Sequence, residues 1–360
     1  MNKINFDPSL FDTEVTALEV VAHSLITGIG MTSEKTAAAA KAGIDCLQES
    51  AILNSQFNGM KMVFLPEELL SPLDDKLNLK NARTQRMLRL ITNPLLEICD
   101  QEKVQQPLVL MLALPESVPG VKTDFDDSML ALIEIQTGLK LNLEESKVFP
   151  FGRAGGLVAI HQAASYLKLN PTAQVLVGGV DTYLDLYYLA SLDAEDRILA
   201  ENKMDAFVPG EGAGFILLSN PTNGSTEKMV KIHPPGIGLE PGHRYNKDEP
   251  YKGDGLSEAF QKALLNSPDK CIDTIYCSLN GENFGAKEFG VAQIRNSEFF
   301  SEQLKVHHPA EYFGDIGAAF APILIALASI SMAQGQIQNN TLVWCSAEGA
   351  ARAAVKLSYE

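Results

Sequence analysis

The chain has 360 residues, of which 46% are hydrophobic and 21% are charged. This composition is typical of a soluble globular protein, and at roughly 150 residues per domain the length predicts about two domains. Lys and Arg number 29 against 45 Asp and Glu, which gives a formal net charge of −16. Binding to nucleic acid or to an anionic membrane is therefore disfavoured, because both partners are negatively charged.

The cysteine pattern and the apolar stretches predict a cytoplasmic protein. The five cysteines include no C-x-x-C pair, and an odd number in a long chain does not indicate a disulfide framework, so we interpret them as reduced thiols, mostly in the core. Residues 1–15 are polar and acidic and lack the apolar core of a signal peptide. The longest apolar stretch, residues 317–332, is shorter than the roughly 18 residues of a membrane span and indicates a buried helix.

Strands and helices are predicted in alternation along the chain. Strands are predicted at 20–30, 108–114 and 173–181, and helices at 33–42, 81–99 and 152–169. The strands are continuously apolar and do not alternate between apolar and polar residues. Such runs favour a largely parallel sheet that is covered on both faces, which is an α/β architecture.

Two segments have the same order of features and indicate an internal repeat. Residues 152–167 and 314–330 each begin with glycine and a charged residue and continue as an apolar helix. An apolar strand follows each helix, at 175–181 and at 341–347. We therefore predict two halves related by a pseudo-twofold axis, with the division in the polar segment 220–227.

Four short segments carry a resemblance to a known family. LITGIGM at 25–31, GLVAIH at 156–161, LVGGVD at 176–181 and FVPGEGAG at 207–214 resemble, in this order, motifs of the β-ketoacyl-acyl-carrier-protein synthases. These are condensing enzymes with the thiolase fold. The resemblance implies a thiolase-like fold of five α-β-α-β-α layers, with an N-terminal half at 1–222 and a C-terminal half at 223–360. It also implies a homodimer, which we expect to be built on the strand at 175–181.

The catalytic positions of that family do not match. A condensing enzyme needs a nucleophilic cysteine and two histidines, and the corresponding positions are Arg153, Asn280 and Asp315. Arginine cannot accept an acyl group because its guanidinium stays protonated. Residues 105–270 contain no cysteine that a small shift of the alignment could bring to position 153. The resemblance therefore implies the fold and argues against the condensation reaction.

The replaced positions allow two interpretations. Asn280, Glu282 and Asp315 could form a new polar site in which Glu282 is the plausible general acid or base, or they could merely fill a pocket that no longer catalyses. Arg153 and Asp315 are expected at the starts of the two central helices with opposite charges. We therefore predict an ion pair between them, with Asn280 as a neutral hydrogen-bonding neighbour.

Three functional hypotheses remain open. The chain could be a catalytically silent scaffold, either as a homodimer or as the partner subunit of an active synthase. It could be an acyltransferase-type enzyme with altered chemistry on an acyl-thioester, using Glu282 or Asp315. It could also bind an acyl group or an acyl carrier protein without turnover, although the negative charge opposes docking of an acidic carrier.

No cofactor or metal site is predicted. His307 and His308 are adjacent, so in a strand their side chains point to opposite faces. The glycines of residues 210–214 lack the Lys-Ser/Thr of a phosphate-binding loop and are interpreted as a structural turn. Arg83, Arg86 and Arg89 have helical spacing, which indicates either a solvated face or a basic stripe for an acidic partner. His161 is expected to be packed on an apolar helix.

Overall fold

A computed structural model describes residues 16–121, 125–201, 203–221, 228–265, 271–337 and 340–360. The helices are α1 (Ser33–Lys41), α2 (Ala82–Gln101), α3 (Ser128–Thr137), α4 (Gly155–Leu169), α5 (Leu186–Ala194), α6 (Asp254–Leu264), α7 (Asn283–Arg295), α8 (Ala310–Phe313) and α9 (Phe320–Ala333). The strands are β1 (Leu18–Thr27), β2 (Gln48–Leu53), β3 (Gly59–Met62), β4 (Val109–Ala113), β5 (Lys147–Phe149), β6 (Gln174–Thr182), β7 (Glu211–Ser219), β8 (Val230–Ile232), β9 (Gly236–Leu239), β10 (Ile272–Cys277), β11 (Phe300–His307), β12 (Thr341–Ser346) and β13 (Ala351–Tyr359).

The two halves have the same strand order. The first half is ordered β5-β4-β6-β7-β1 and the second β11-β10-β12-β13-β9, while β8 pairs with both β1 and β13 and joins the halves into one hydrogen-bonded path. Each repeated helix, α4 and α9, is followed by the strand that the sequence predicted, β6 and β12. The predicted repeat is therefore confirmed.

The prediction of a largely parallel sheet is wrong. In each half two strand pairings are parallel, β4 with β5 and β6 in the first half, and two are antiparallel, β6 with β7 and β7 with β1. The second half repeats this mixture. An apolar run reports that both faces of a strand are buried, and it carries no information about the direction of the neighbouring strand.

The strand chosen for dimer formation is also not at an edge. β6 is hydrogen-bonded to β4 on one side and to β7 on the other, so it has no free edge for a second copy. The outer strands of the two halves are β5 and β11. The glycines at 178–179 instead allow close packing, because a Cβ on Gly179 would lie 2.2 Å from the backbone oxygen of Ala318.

Three apolar clusters separate the layers. The central cluster contains most of α4 and α9 together with strand residues from both halves, so the two repeated helices lie between the sheets as predicted. A second cluster packs α2 and α3 on the outer face of the first half, and a third packs α6 on the second half. Because α9 is buried along almost its whole length, its apolar sequence reflects the protein core.

The remaining predictions about the fold concern the cysteines, a membrane-spanning helix and the division of the chain into halves. All five cysteines are free thiols, and Cys99, Cys277 and Cys345 are buried. Among the helices that the structure describes, none combines the length and the apolar character needed to cross a bilayer. Most of the segment 220–227 lies outside the described residues. The division of the chain at residue 222 therefore stays a prediction.

Candidate functional site

The two central helices begin with the same tight backbone turn. A short 3₁₀ turn at Gly152–Ala154 leads into α4, and a matching turn at Gly317–Ala319 leads into α9. The first residue of each turn has a left-handed backbone, with φ of +52° at Gly152 and +50° at Gly317, which glycine adopts without steric cost. Each glycine also lies against an acidic side chain, Glu116 at Gly152 and Asp181 at Gly317.

Arg153 lies in the first turn and is buried, with 6% of its surface exposed. Its Nε donates to Asp315 Oδ2 over 2.9 Å, and its Nη1 donates to Glu348 Oε1 over 2.8 Å. The ion pair predicted between Arg153 and Asp315 is therefore present. Burial by itself would lower the pKa of Arg153, but the facing Asp315 and Glu348 carboxylates hold that pKa well above its ordinary value.

Asp315 is fully buried, and its carboxylate is saturated with donors. Besides Arg153, the Nδ2 of Asn280 donates to Oδ2 over 2.8 Å, and the backbone N–H of Gly317 donates to Oδ1 over 2.9 Å. The Tyr183 hydroxyl lies 3.3 Å from Oδ1. Asn280 thus occupies the role predicted for it, and Asp315 is fixed at the start of its own helix, where the dipole favours a negative charge.

Glu282, the candidate acid or base, is also held by cations. Arg197 binds it with two hydrogen bonds, from Nε to Oε1 over 2.8 Å and from Nη2 to Oε2 over 2.9 Å. Arg244 Nη2 lies 3.1 Å from the same Oε1. Such bidentate, charge-assisted pairing occupies both carboxylate oxygens with guanidinium donors.

Glu348 connects the arginines into one cluster. It accepts from Arg153 and from Arg197, each over 2.8 Å, and Arg244 Nε lies 3.0 Å from its second oxygen. Burial would raise the pKa of Glu348, but the three guanidinium groups hold it below its ordinary value. Three arginines therefore face three carboxylates, those of Asp315, Glu282 and Glu348, and we call these six residues the arginine cluster.

Glu116 borders the arginine cluster from the segment that follows β4. Its carboxylate accepts the backbone N–H groups of Glu348 over 2.7 Å and Gly349 over 2.8 Å, and so fixes the turn between β12 and β13. Burial, and then the charge of Glu348, raise the pKa of Glu116 to about 7 despite these bonds. The pKa of Glu116, which lies next to the cluster, is therefore near neutrality.

The side chains leave little space where a substrate would sit. A cavity of about 30 Å³ lies beside Arg153, Asn280, Glu282 and Arg244, which is roughly the share of liquid volume of one water molecule. A second cavity, of about 10 Å³, lies beside Glu116. The guanidinium of Arg244 lines the first cavity and lies 4.7 Å over the Phe284 ring. In the described part of the chain, this region is a pocket filled by its own ion pairs.

The cluster contains no nucleophile of the condensing type. A guanidinium cannot hold an acyl group. The thiol of Cys345 is fully buried on β12, and burial raises its pKa, as burial raises the pKa of Cys277 to about 12. Both thiols therefore stay protonated at neutral pH.

Three members of the cluster were missed from the sequence. Arg197 and Arg244 lie in segments where the sequence analysis identified no motif. Glu348 lies in the turn between β12 and β13, which the sequence analysis also did not single out.

Both interpretations of the arginine stripe on α2 are wrong. Arg83 and Arg86 are buried, and they pair with Asp181 over 2.8 Å and with Glu211 over 2.6 Å. Arg89 is partly exposed and pairs with Glu67. The stripe faces the sheet because its carboxylate partners lie on other elements. Spacing on one helix cannot show this.

The glycine-rich run at 210–214 lies mainly in a strand, and His161 lies in the core. Residues 211–214 begin β7, where Glu211 holds Arg86 and a Cβ on Gly214 would lie 2.6 Å from Ile323. The run is thus mainly a strand packed on α9. His161 is buried on α4 as expected. Among the described residues, no group of three His, Cys, Asp or Glu side chains has a geometry that could hold a metal ion.

Comparisons with known proteins agree with this architecture. Residues 153–222 match the family profile described as Beta-ketoacyl synthase, N-terminal domain, so the match begins at Arg153. No curated protein sequence matches the chain. The matches to solved structures cover 95–96% of the chain at 11–15% identity, and likeness at this level shows the fold.

Three of the similar structures are ketosynthases. The ketosynthase ApeO in complex with its chain length factor ApeC, from Xenorhabdus doucetiae, has a TM-score of 0.73 at 11% identity, over 96% of this chain and 98% of that one. The ketosynthase from module 6 of the bacillaene synthase of Bacillus subtilis 168 has a TM-score of 0.70 at 14% identity, over 96% and 72%. AntDE:AntF, a type II acyl-carrier protein in complex with its ketosynthase, has a TM-score of 0.73 at 13% identity, over 96% and 100%. The thiolase-like fold implied by the sequence motifs is therefore confirmed.

Proposed function

We propose that this chain, a divergent β-ketoacyl synthase-like protein by fold, does not condense acyl groups and acts as a scaffold or partner subunit. The observation that carries the proposal is Arg153, which stands at the start of α4 where a condensing enzyme has its cysteine. Its guanidinium is bound to Asp315 and Glu348 and cannot hold an acyl group as a thioester.

The filled pocket supports the same proposal. About 30 Å³ beside Arg153 is too little for an acyl chain, and small-molecule sites usually have at least 300 Å³. Opening this space would break charge-assisted bonds among buried groups, which is costly when one partner stays behind. An acyl-binding role at this site is therefore less well supported than a scaffold role.

The similar structures suggest the kind of partner. Two of them contain a ketosynthase with its chain length factor or with an acyl-carrier protein. We propose that this chain associates in the same way, with an active synthase or with a second copy of itself. A second copy would have to join at an outer strand such as β5, because β6 is paired on both sides.

The test of the catalytic proposal compares this chain with an active, cysteine-containing ketosynthase. Both are incubated with a malonyl-thioester and an acyl-thioester, and release of carbon dioxide and the intact mass of each protein are measured. We expect carbon dioxide and an acyl adduct from the active enzyme and neither from this chain. Labelling by cerulenin, which modifies the catalytic cysteine of active synthases, should likewise be absent.

Turnover would refute the proposal, and variants would then identify the chemistry. Loss of that turnover in Glu282→Gln or Asp315→Asn would support an acyltransferase with altered chemistry. The association state is measured separately by light scattering at micromolar concentration. A species of 39.1 kDa would argue against a homodimer and leave the heteromeric partner as the proposal.

A further inference from the structure

A third and much larger cavity lies away from the arginine cluster. It has a volume of about 460 Å³ and is bordered by α1, the ends of β10 and β11, and the C-terminal part of α9. This volume is in the range of small-molecule sites. Ile330, one of its lining residues, lies about 15 Å along α9 from Phe320, the first residue of that helix. The cavity shares no lining residue with the two small cavities of the cluster, and we call it the α1 groove.

The walls of the α1 groove combine apolar and polar side chains. Helix α1 contributes small side chains, including Ala37 and Ala40, which keep the groove open. On the opposite wall, the rings of Tyr276 and His307 stack with centroids 4.7 Å apart and planes 19° apart. The Tyr276 hydroxyl lies 3.0 Å from Ser331 Oγ, so its ring is held in place. Such a surface suits the hydrocarbon part of a ligand.

The charged residues that line the groove include more lysines than carboxylates. Lys41 ends α1 and Lys305 lies two residues before His307, so Lys305 and His307 are on the same face of β11. In the described part of the chain, neither lysine has an ion pair. Glu34, the acidic lining residue, is seven residues before Lys41, about 10 Å away along the helix. The groove is therefore lined by two lysines and one glutamate, in a chain whose net charge is −16.

His307 does not add to the positive charge of the groove. Burial lowers the pKa of His307, and the opposing effect of Glu311 does not compensate. The imidazole is therefore neutral at pH 7, and the positive charge at the groove comes from the two lysines.

We propose that the α1 groove binds a small amphipathic carboxylate. Its hydrocarbon part would lie between the alanines of α1 and the Tyr276–His307 wall, and its carboxylate would pair with Lys41 or Lys305. A neutral ligand with the same hydrocarbon would lose the contact with the lysines, and a cationic ligand would be repelled. This site is independent of the arginine cluster and of the question of condensation.

Titration calorimetry with decanoate, below its micelle concentration, tests the proposal with decan-1-ol as the neutral counterpart. We expect saturable binding of one decanoate per chain and weaker binding of decan-1-ol. Lys41→Gln and Lys305→Gln should each weaken decanoate binding about two- to fivefold, as for partly exposed ion pairs. Lys35→Gln is the matched control, because Lys35 lies on the same helix outside the groove.

A blocking variant tests the location. Ala40→Leu should fill the groove and weaken binding at least about tenfold, whereas Ala42→Leu, just beyond the helix and outside the lining, should have no effect. Circular dichroism of each variant shows whether it is folded. Absence of saturable binding to the wild-type chain, or binding that Ala40→Leu leaves unchanged, would overturn the proposal. So would a dimer in light scattering that Ala40→Leu converts to a monomer, because the groove would then hold a second copy.

Discussion

The starts of α4 and α9 have one backbone conformation and opposite electrostatics. At α9, Asp181 accepts the backbone N–H of Ala318 over 3.1 Å, which is a negative charge at the positive end of a helix. At α4 the corresponding turn carries Arg153, a positive charge that the helix dipole disfavours. The start of α9 is stabilised by two carboxylates, Asp181 from β6 and Asp315 two residues before Gly317. The start of α4 depends on Asp315 and Glu348, which come from distant parts of the chain.

This difference shows that one backbone turn can carry opposite charges. A left-handed glycine and a helix start form the same turn in both halves, so the backbone alone does not determine chemistry. The two turns differ in the residue that follows the glycine, which is Arg153 at α4 and Ala318 at α9. An arginine there is tolerated only while its carboxylate partners remain. The predictions that follow test this dependence.

The largest expected effect comes from breaking the Arg153–Asp315 pair. Arg153→Met and Asp315→Leu should each lower the free energy of unfolding by about 3–5 kcal/mol, because each leaves a buried charge without its partner. The double variant should lose clearly less than the sum of the two, since neither charge is then left behind. Urea denaturation of the four proteins measures this coupling.

This double-mutant cycle shows whether the charges of Arg153 and Asp315 stabilise each other. Strictly additive losses would mean that the two charges do not stabilise each other. Single variants as stable as the wild type would contradict the dependence of α4 on its distant partners.

The start of α9 can be tested through Arg83, which pairs with the Asp181 that caps this helix. Arg83→Met should cost about 3–5 kcal/mol of unfolding free energy, because Asp181 is buried. Arg89→Met, on the same helix, should cost less than about 1 kcal/mol, because Arg89 and its partner Glu67 are partly exposed. Equal losses for both variants would contradict the dependence of this effect on burial of the ion pair.

The sequence predicted the two central helices and three of the residues near their starts, but it did not predict the whole cluster. The apolar runs located α4, α9 and the strands after them, and the motif positions brought Arg153, Asp315 and Asn280 together. Strand direction was not predictable from apolar runs. Arg197 and Arg244 come from segments without motifs, and their partners are far away in the chain, so only the folded structure brings them together. Burial of Arg83 depends in the same way on Asp181, which lies on another element.

Glu116 provides a smaller, pH-dependent test at the α4 turn. Its pKa of about 7 in the folded chain is above its ordinary value of 4.5, so the folded protein binds more protons between these pH values than the unfolded one. Its contribution to stability is therefore greatest below about pH 4.5 and is lost as the pH rises towards 7. We expect a loss of up to about 2 kcal/mol between pH 5 and pH 8, relative to Glu116→Gln. Parallel pH profiles of the two proteins would contradict this.

The smallest expected effect concerns Tyr183, whose hydroxyl lies 3.3 Å from Asp315 Oδ1. Tyr183→Phe keeps the ring, which stacks on Tyr188 at 5.1 Å, and removes only this hydrogen bond. Asp315 retains Arg153, Asn280 and the Gly317 N–H, so the loss should be about 0.5–1.5 kcal/mol of unfolding free energy. Tyr187→Phe is the matched control, because Tyr187 is 84% exposed and should show no change. A loss as large as that of Arg153→Met would mean that the hydroxyl, and not the ion pair, holds Asp315, and the comparison of the two helix starts would then rest on the wrong residue.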